Sequence, residues 1–162
     1  MMLKVGDELP QAQVMLATAD GPKPADIKEL FAGKRVALFA VPGAYTPTCS
    51  AKHVPNFLEN ADALRAAGVD TIACIAVNDA FVMAAWGKDQ GVGDQIVMIA
   101  DGNGAFTKAA GLDFDGSQFG MGERSRRYAL LAENGVVKAL NVEEGGGFEA
   151  SKAEHLLRVL GK

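Results

Sequence analysis

The chain has 162 residues, 49% hydrophobic and 22% charged, with 16 basic and 20 acidic side chains giving a net charge of −4. This composition excludes a disordered or fibrous chain, and the acidic balance argues against a nucleic-acid surface, which needs clustered Lys and Arg. A chain of this length buries roughly 70% of its unfolded surface, so one domain over residues 1–162 is expected, without disulfide staples.

Residues 1–10 alternate charged and apolar side chains and lack the apolar stretch of a signal peptide. No apolar run reaches the roughly 20 residues of a membrane helix. A cytoplasmic protein with no membrane partner is therefore expected. Strand-like runs at 36–41, 71–77 and 96–100 are nearly continuous in apolar residues, the pattern of strands buried on both faces. Between the first two, Val54, Phe57, Leu58, Ala61 and Leu64 follow helical spacing, with Pro55 near the helix start and Gly68 as its C-terminal stop. A second helix is predicted from the N-capping Asp79 through Trp86, and a short third one over 105–110. Then 127–132 and 136–142 read as a hairpin joined by Asn134-Gly135, and a last helix starts at Ser151, with Glu154 completing a capping box.

Parallel strand–helix–strand units followed by a hairpin and a closing helix predict an α/β protein of thioredoxin-like fold, a central mixed β-sheet flanked by helices. The order alone also admits flavodoxin-like folds; the late hairpin favours the thioredoxin plan.

The chemistry is concentrated between residues 41 and 50. This loop follows a buried strand and opens a helix, where sites form in open α/β sheets. Helix N-termini carry free N–H groups and a partial positive charge that favours a thiolate in the first turn, and thiolate is the reactive form. A lone cysteine is more often a small core residue, but two prolines and a glycine around Cys49 build a rigid loop that packing does not require. Thr46, three residues earlier, either donates to a group bound at the sulfur or caps the helix. No Cys-x-x-Cys is present, which argues against a dithiol oxidoreductase. Two cysteines are too few for a structural zinc site, and His53 and His155 lie far apart, so no metal is expected.

Pro42-Gly43-Ala44-Tyr45-Thr46-Pro47-Thr48-Cys49-Ser50 resembles the active-site loop of peroxiredoxins, Pro-x-x-x-Thr-x-x-Cys, and its fuller form resembles the peroxiredoxin V (type II) subfamily. The similarity continues through His53-Val54-Pro55, the segment Ala73-Cys74-Ile75-Ala76-Val77-Asn78-Asp79-Ala80-Phe81, and Val137-Lys138-Ala139-Leu140-Asn141-Val142-Glu143. The resemblance implies a thiol peroxidase for hydrogen peroxide and alkyl hydroperoxides with Cys49 as the attacking residue, and no metal, flavin or haem. Charge moves from sulfur to the leaving oxygen, so donors aimed at both oxygens stabilise the transition state. The implied donors are the Thr46 hydroxyl, the backbone N–H groups of Thr48 and Cys49, and one arginine. The family places that arginine directly before an aromatic residue of the hairpin, which selects Arg127, ahead of Tyr128. Arg124 and Arg126 are then expected in solvent. Pro42 matches the proline that shields the sulfur from water.

Oxidised Cys49 would be a sulfenic acid needing a thiol reductant. Some relatives carry a second cysteine before the last helix; here 145–151 has none, and Cys74 lies in an apolar strand that reads as buried and inert. An external thiol is expected: glutathione, alone or with glutaredoxin, first, and thioredoxin second. His53, one turn beyond Cys49, reads mainly as a surface or packing residue, with tuning of the thiolate as the alternative. Phe81, Trp86, Phe114 and Phe119 are core or a dimer face, and the resemblance favours a homodimer. A redox sensor or a glutathione-dependent transferase would use the same cysteine differently.

Overall fold

The computed structural model describes residues 2–145 and 147–161. A seven-stranded sheet runs in the order β2 (Gly21–Asp26), β1 (Gln13–Thr18), β5 (Val97–Ala100), β4 (Thr71–Ala76), β3 (Arg35–Ala40), β8 (Tyr128–Glu133), β9 (Val136–Val142). Its central strand β4 lies parallel to β3 on one side and to β5 on the other. These are the three apolar runs expected from the sequence. β3 shows why they are continuous. Ala37, Phe39 and Val41 face one core layer with Val54, Phe57, Leu64 and Trp86, while Val36, Leu38 and Ala40 face the other with Ile27, Phe31 and Phe106. A strand covered on both faces has no polar side.

The hairpin of β8 (Tyr128–Glu133) and β9 (Val136–Val142) adds antiparallel to β3. Its turn uses Asn134 and Gly135, both at positive φ, as a two-residue hairpin loop requires. The mixed sheet flanked by helices confirms the expected fold class.

The sequence reading missed the other edge. β1 (Gln13–Thr18) and β2 (Gly21–Asp26) form a hairpin that extends the sheet antiparallel to β5. Pro22 and Pro24 disguise β2, but prolines are tolerated on an edge strand, where one row of N–H groups faces solvent. A short α1 (Ile27–Phe31) follows, capped by the Asp26 carboxylate on the Lys28 N–H.

The helix after Cys49 is not uniform. A π-helical turn over Cys49–His53 leads into α2 (Val54–Glu59), a break at Asn60, and α3 (Ala61–Ala66). The Val54 N–H reaches back to the Cys49 carbonyl, five residues earlier. Pro55 offers no N–H and its ring crowds the preceding turn, and the wider π turn relieves both demands.

The helix α4 (Ala80–Gln90) starts as expected, with the Asp79 carboxylate accepting from the Val82 N–H at 2.8 Å, and ends at left-handed Gly91. A short α5 (Ala105–Ala109) and the two-stranded β6 (Asp113–Asp115) and β7 (Glu123–Ser125) follow. The last helix, α6 (Ala153–Leu160), starts two residues after the expected point. The capping box is a correction: the Ser151 hydroxyl donates to Glu143 at 2.6 Å instead. Asn56 of α2 takes over, its Oδ1 accepting the Ala153 N–H and its Nδ2 donating to Glu154, both at 2.8 Å.

Candidate active site

Cys49 opens the π turn at the carboxyl end of β3 and has no exposed surface. The loop before it is held from two sides. The Ala44 N–H donates to Asn78 at 2.9 Å, and the Tyr45 hydroxyl donates to Asp89 at 2.7 Å. Those bonds offset the cost, about 1 kcal/mol, of holding a non-glycine residue at φ +67.

Two side chains converge on the sulfur. The Thr46 Oγ1 lies 2.7 Å from Cys49 Sγ and 2.8 Å from the Gly43 carbonyl. A hydroxyl has one proton. Beside a thiol it accepts from S–H and donates to Gly43; beside a thiolate it turns and donates to sulfur. The Arg127 Nη2 donates to Sγ at 3.0 Å. Arg127 precedes β8, is 6% exposed, and is fixed by its backbone as well, since its carbonyl accepts the Glu143 N–H at 2.9 Å. Thr48 stands at the N-terminal boundary of the π turn, so its N–H and that of Cys49 are among the first of the helix. Pro42 lies half-buried beside Gly43 at the start of the loop. The structure thus brings Thr46 and Arg127 together on Cys49, with Thr48 next to it in the chain, while Pro42 is placed only at the start of the same loop.

Of the two readings of His53 as a surface or a packing residue, the structure shows packing. His53 is fully buried, and its ring lies 4.7 Å from Phe39, 5.5 Å from Phe57 and 4.8 Å from Phe148. Arg127 Nη1 stands 2.8 Å from His53 Nδ1, and His53 Nε2 stands 3.1 Å from the Ser151 carbonyl. Arg127 only donates and a carbonyl only accepts, so the ring is neutral with its proton on Nε2. Burial, then the Arg127 charge, lower its pKa to about 3. The Cys49–His53 spacing was a visible signal, as was Phe57 one turn further on, but Phe39 and Phe148 come from distant positions.

Arg124 also departs from expectation. Arg126 is exposed as expected, but Arg124 is half-buried. It packs on the active-site loop so closely that a Cβ on Gly43 would lie 3.1 Å from its Nη1. Its Nε donates to the Met121 carbonyl at 2.9 Å. Among the aromatic residues, Trp86 is core and donates to Ser50 Oγ at 2.9 Å, Phe114 is half-buried, and Phe81 and Phe119 are 73% and 68% exposed. Cys74 is fully buried, and burial, followed by the nearby Cys49 sulfur, pushes its thiol well above the ordinary range. Among the described residues no three His, Cys, Asp or Glu side chains gather to hold a metal ion.

A buried sulfur that receives a hydroxyl and a guanidinium is arranged to carry negative charge and pass it to a bound electrophile. Comparison with known proteins gives the family. The sequence model of the Redoxin family matches residues 4–157. The chain is 52% identical to peroxiredoxin-2E, chloroplastic, of Arabidopsis thaliana, over 98% of this chain and 69% of that protein. It is 53% identical to peroxiredoxin-2E-2, chloroplastic, of Oryza sativa subsp. japonica, over 98% and 72%. The solved structure of reduced Prx3 from Vibrio vulnificus in complex with H2O2 superposes with a TM-score of 0.93 at 52% identity, covering 98% of this chain and 99% of that one. The chain belongs to the Redoxin family, and within it to the peroxiredoxins of type II, the peroxiredoxin V group. It is a thiol peroxidase, an oxidoreductase with an antioxidant role that draws on a thiol reductant. One expectation is overturned: the two plant relatives are chloroplastic, which points away from the cytoplasmic location read from the sequence.

Proposed function

We propose that Cys49 is the attacking thiolate of this peroxidase, and that its substrates are hydrogen peroxide and small alkyl hydroperoxides. The observation that carries this reading is the convergence of Thr46 and Arg127 on one sulfur. The thiolate attacks one peroxide oxygen, the S–O bond forms as the O–O bond breaks, and the other oxygen leaves as hydroxide or alkoxide and takes a proton. Cys49 is left as a sulfenic acid. Thr46 and Arg127, with the N–H groups of Thr48 and Cys49, hold the two oxygens as charge crosses between them. Pro42 keeps water from the sulfur, which strengthens each of these bonds.

Reduction is assigned to an external thiol. A first thiol condenses with the sulfenic acid, releasing water and leaving a mixed disulfide; a second displaces Cys49 as the thiolate. Glutathione, alone or with glutaredoxin, is the first choice and thioredoxin the second, supported by the buried, unreactive surroundings of Cys74. The unit is residues 1–162 as one domain, and it pairs as a homodimer through exposed aromatic side chains, Tyr45 on the Cys49 loop with Phe81 and Phe119. The chemistry uses no cofactor.

Intact mass tests the reading. One equivalent of hydrogen peroxide adds one oxygen at Cys49 of the reduced protein, none in Cys49→Ser, and glutathione then converts the product to a mixed disulfide. A bond between Cys49 and Cys74 would overturn the external step, and no rapid change would overturn the assignment of Cys49.

A further inference from the structure

The contacts that hold Arg127 do not stop at His53. Glu143 directly follows β9 and is 6% exposed. Its Oε2 accepts three bonds, from the Glu149 N–H at 2.9 Å, the Ser151 N–H at 2.7 Å and the Ser151 hydroxyl at 2.6 Å. The Ser151 carbonyl then faces His53 Nε2 at 3.1 Å, His53 Nδ1 faces Arg127 Nη1 at 2.8 Å, and Arg127 Nη2 faces Cys49 Sγ. The circuit closes because the Glu143 N–H donates to the Arg127 carbonyl at 2.9 Å. One residue thus grips Arg127 at its backbone and, through two intermediaries, at its guanidinium.

Burial works against the charge of Glu143, but the bonds from Ser151, Ala150 and Glu149 outweigh it and hold the carboxyl below its ordinary range. The group that organises the segment before α6 is therefore a carboxylate, with no donor of its own in these bonds.

We propose that Glu143 is a positioning residue for peroxide reduction. It sets the Ser151 carbonyl, which selects the His53 tautomer, which turns the Arg127 fork onto the sulfur. The inference rests on the reading of Cys49 and Arg127 given above. Without the carboxylate, the Ser151 carbonyl loses its fixed direction, His53 is free to place its proton on either nitrogen, and an Nδ1–H would face Arg127 donor to donor.

The test uses the full chain, reduced, as Glu143→Ala and Ser151→Ala, with Arg127→Ala as reference. Ser151→Ala removes one of the three bonds and keeps the backbone, so it remains informative if Glu143→Ala does not fold. The first readout is the second-order rate constant with hydrogen peroxide. A fall of about 10- to 100-fold is expected for Glu143→Ala, the scale on which a small misplacement of a catalytic group acts. A fall of a few-fold is expected for Ser151→Ala. The second readout is the 15N spectrum of the His53 ring, which involves no peroxide and which a general loss of stability does not change. It is expected to show the Nε2–H form alone in the parent and a mixture in both variants.

Folded variants that react at the parent rate, or that slow without any change in the His53 spectrum, overturn the inference. If Arg127→Ala itself reacts at the parent rate, it is the reading of the site that fails. A slow Arg127→Ala beside parent-like Glu143→Ala and Ser151→Ala would sink the positioning role alone.

Discussion

The Nη2 group of Arg127 meets Cys49 Sγ at 3.0 Å although the two residues lie 78 positions apart. One comes from the edge of a hairpin and the other from the first turn of a helix, and only the pairing of β8 with β3 brings them together. Arg127→Ala removes a charged donor aimed at the Cys49 sulfur, the attacking atom of the proposed reaction. A loss of about 10²- to 10³-fold in the peroxide rate constant is expected. Arg124→Ala should cost far less, because Arg124 packs on Gly43 and is not bonded to sulfur. Stopped-flow rates for the two variants decide between them, and the reverse ranking would mean that the wrong arginine has been assigned.

Thr46 acts through a hydroxyl that chooses between sulfur and the Gly43 carbonyl. Thr46→Val keeps the shape and removes the donor, so the peroxide reaction should slow by about 10- to 100-fold with little change in melting temperature. Thr46→Ser should recover most of the rate. If Thr46→Val is as fast as the parent, the hydroxyl only braces the loop.

Cys74 faces the same apolar layer as Cys49, and among the described residues its thiol has no hydrogen-bond partner. Cys74→Ser should leave peroxide reduction and its recovery by external thiol intact while lowering stability by about 1–3 kcal/mol, the cost of a buried hydroxyl. A folded Cys74→Ser protein that reacts once and then stops would show that Cys74 takes part in turnover.

The neutral, buried His53 makes stability depend on acidity. Its pKa falls to about 3 in the folded chain from an ordinary 6.5. Between those values the unfolded chain binds the extra proton, so the stabilisation is whole above about pH 6.5 and is lost as pH falls toward 3. The loss approaches about 1.4 kcal/mol for each pH unit crossed. The shifted carboxyls start from 4.5 for the glutamates and 3.8 for Asp115, so the window from 6.5 to 4.5 belongs mainly to His53. Thermal melts across that window should slope downward in the parent and flatten in His53→Gln. Equal slopes in both would place the proton elsewhere.

Much of this site was legible because its signals are local. The loop 42–50 carries its own conformation in two prolines and a glycine, and Cys49 and Thr46 are three residues apart on it. Arg127 was singled out only through the resemblance to peroxiredoxins, by its place before Tyr128, while Asn134-Gly135 marked the hairpin next to it. What stayed hidden depends on distant partners. His53 reads as an ordinary helix residue until Phe39 and Phe148 join Phe57 around it. Ser151 and Glu154 have the spacing of a capping box, yet Glu143 and Asn56 compete for them more effectively from other elements. The edge strand β2 was hidden because its prolines argue against a strand in any interior position.

The bond between Trp86 and Ser50 has a practical use. The indole is the chain's single tryptophan, it is fully buried, and its N–H ends on the residue next to Cys49. Any oxygen or thiol added to the sulfur must displace neighbouring groups in that packed layer, and the indole's emission responds to such changes in its surroundings. On the proposed chemistry, the emission of Trp86 is therefore expected to follow the oxidation of Cys49 in real time, without dye or label.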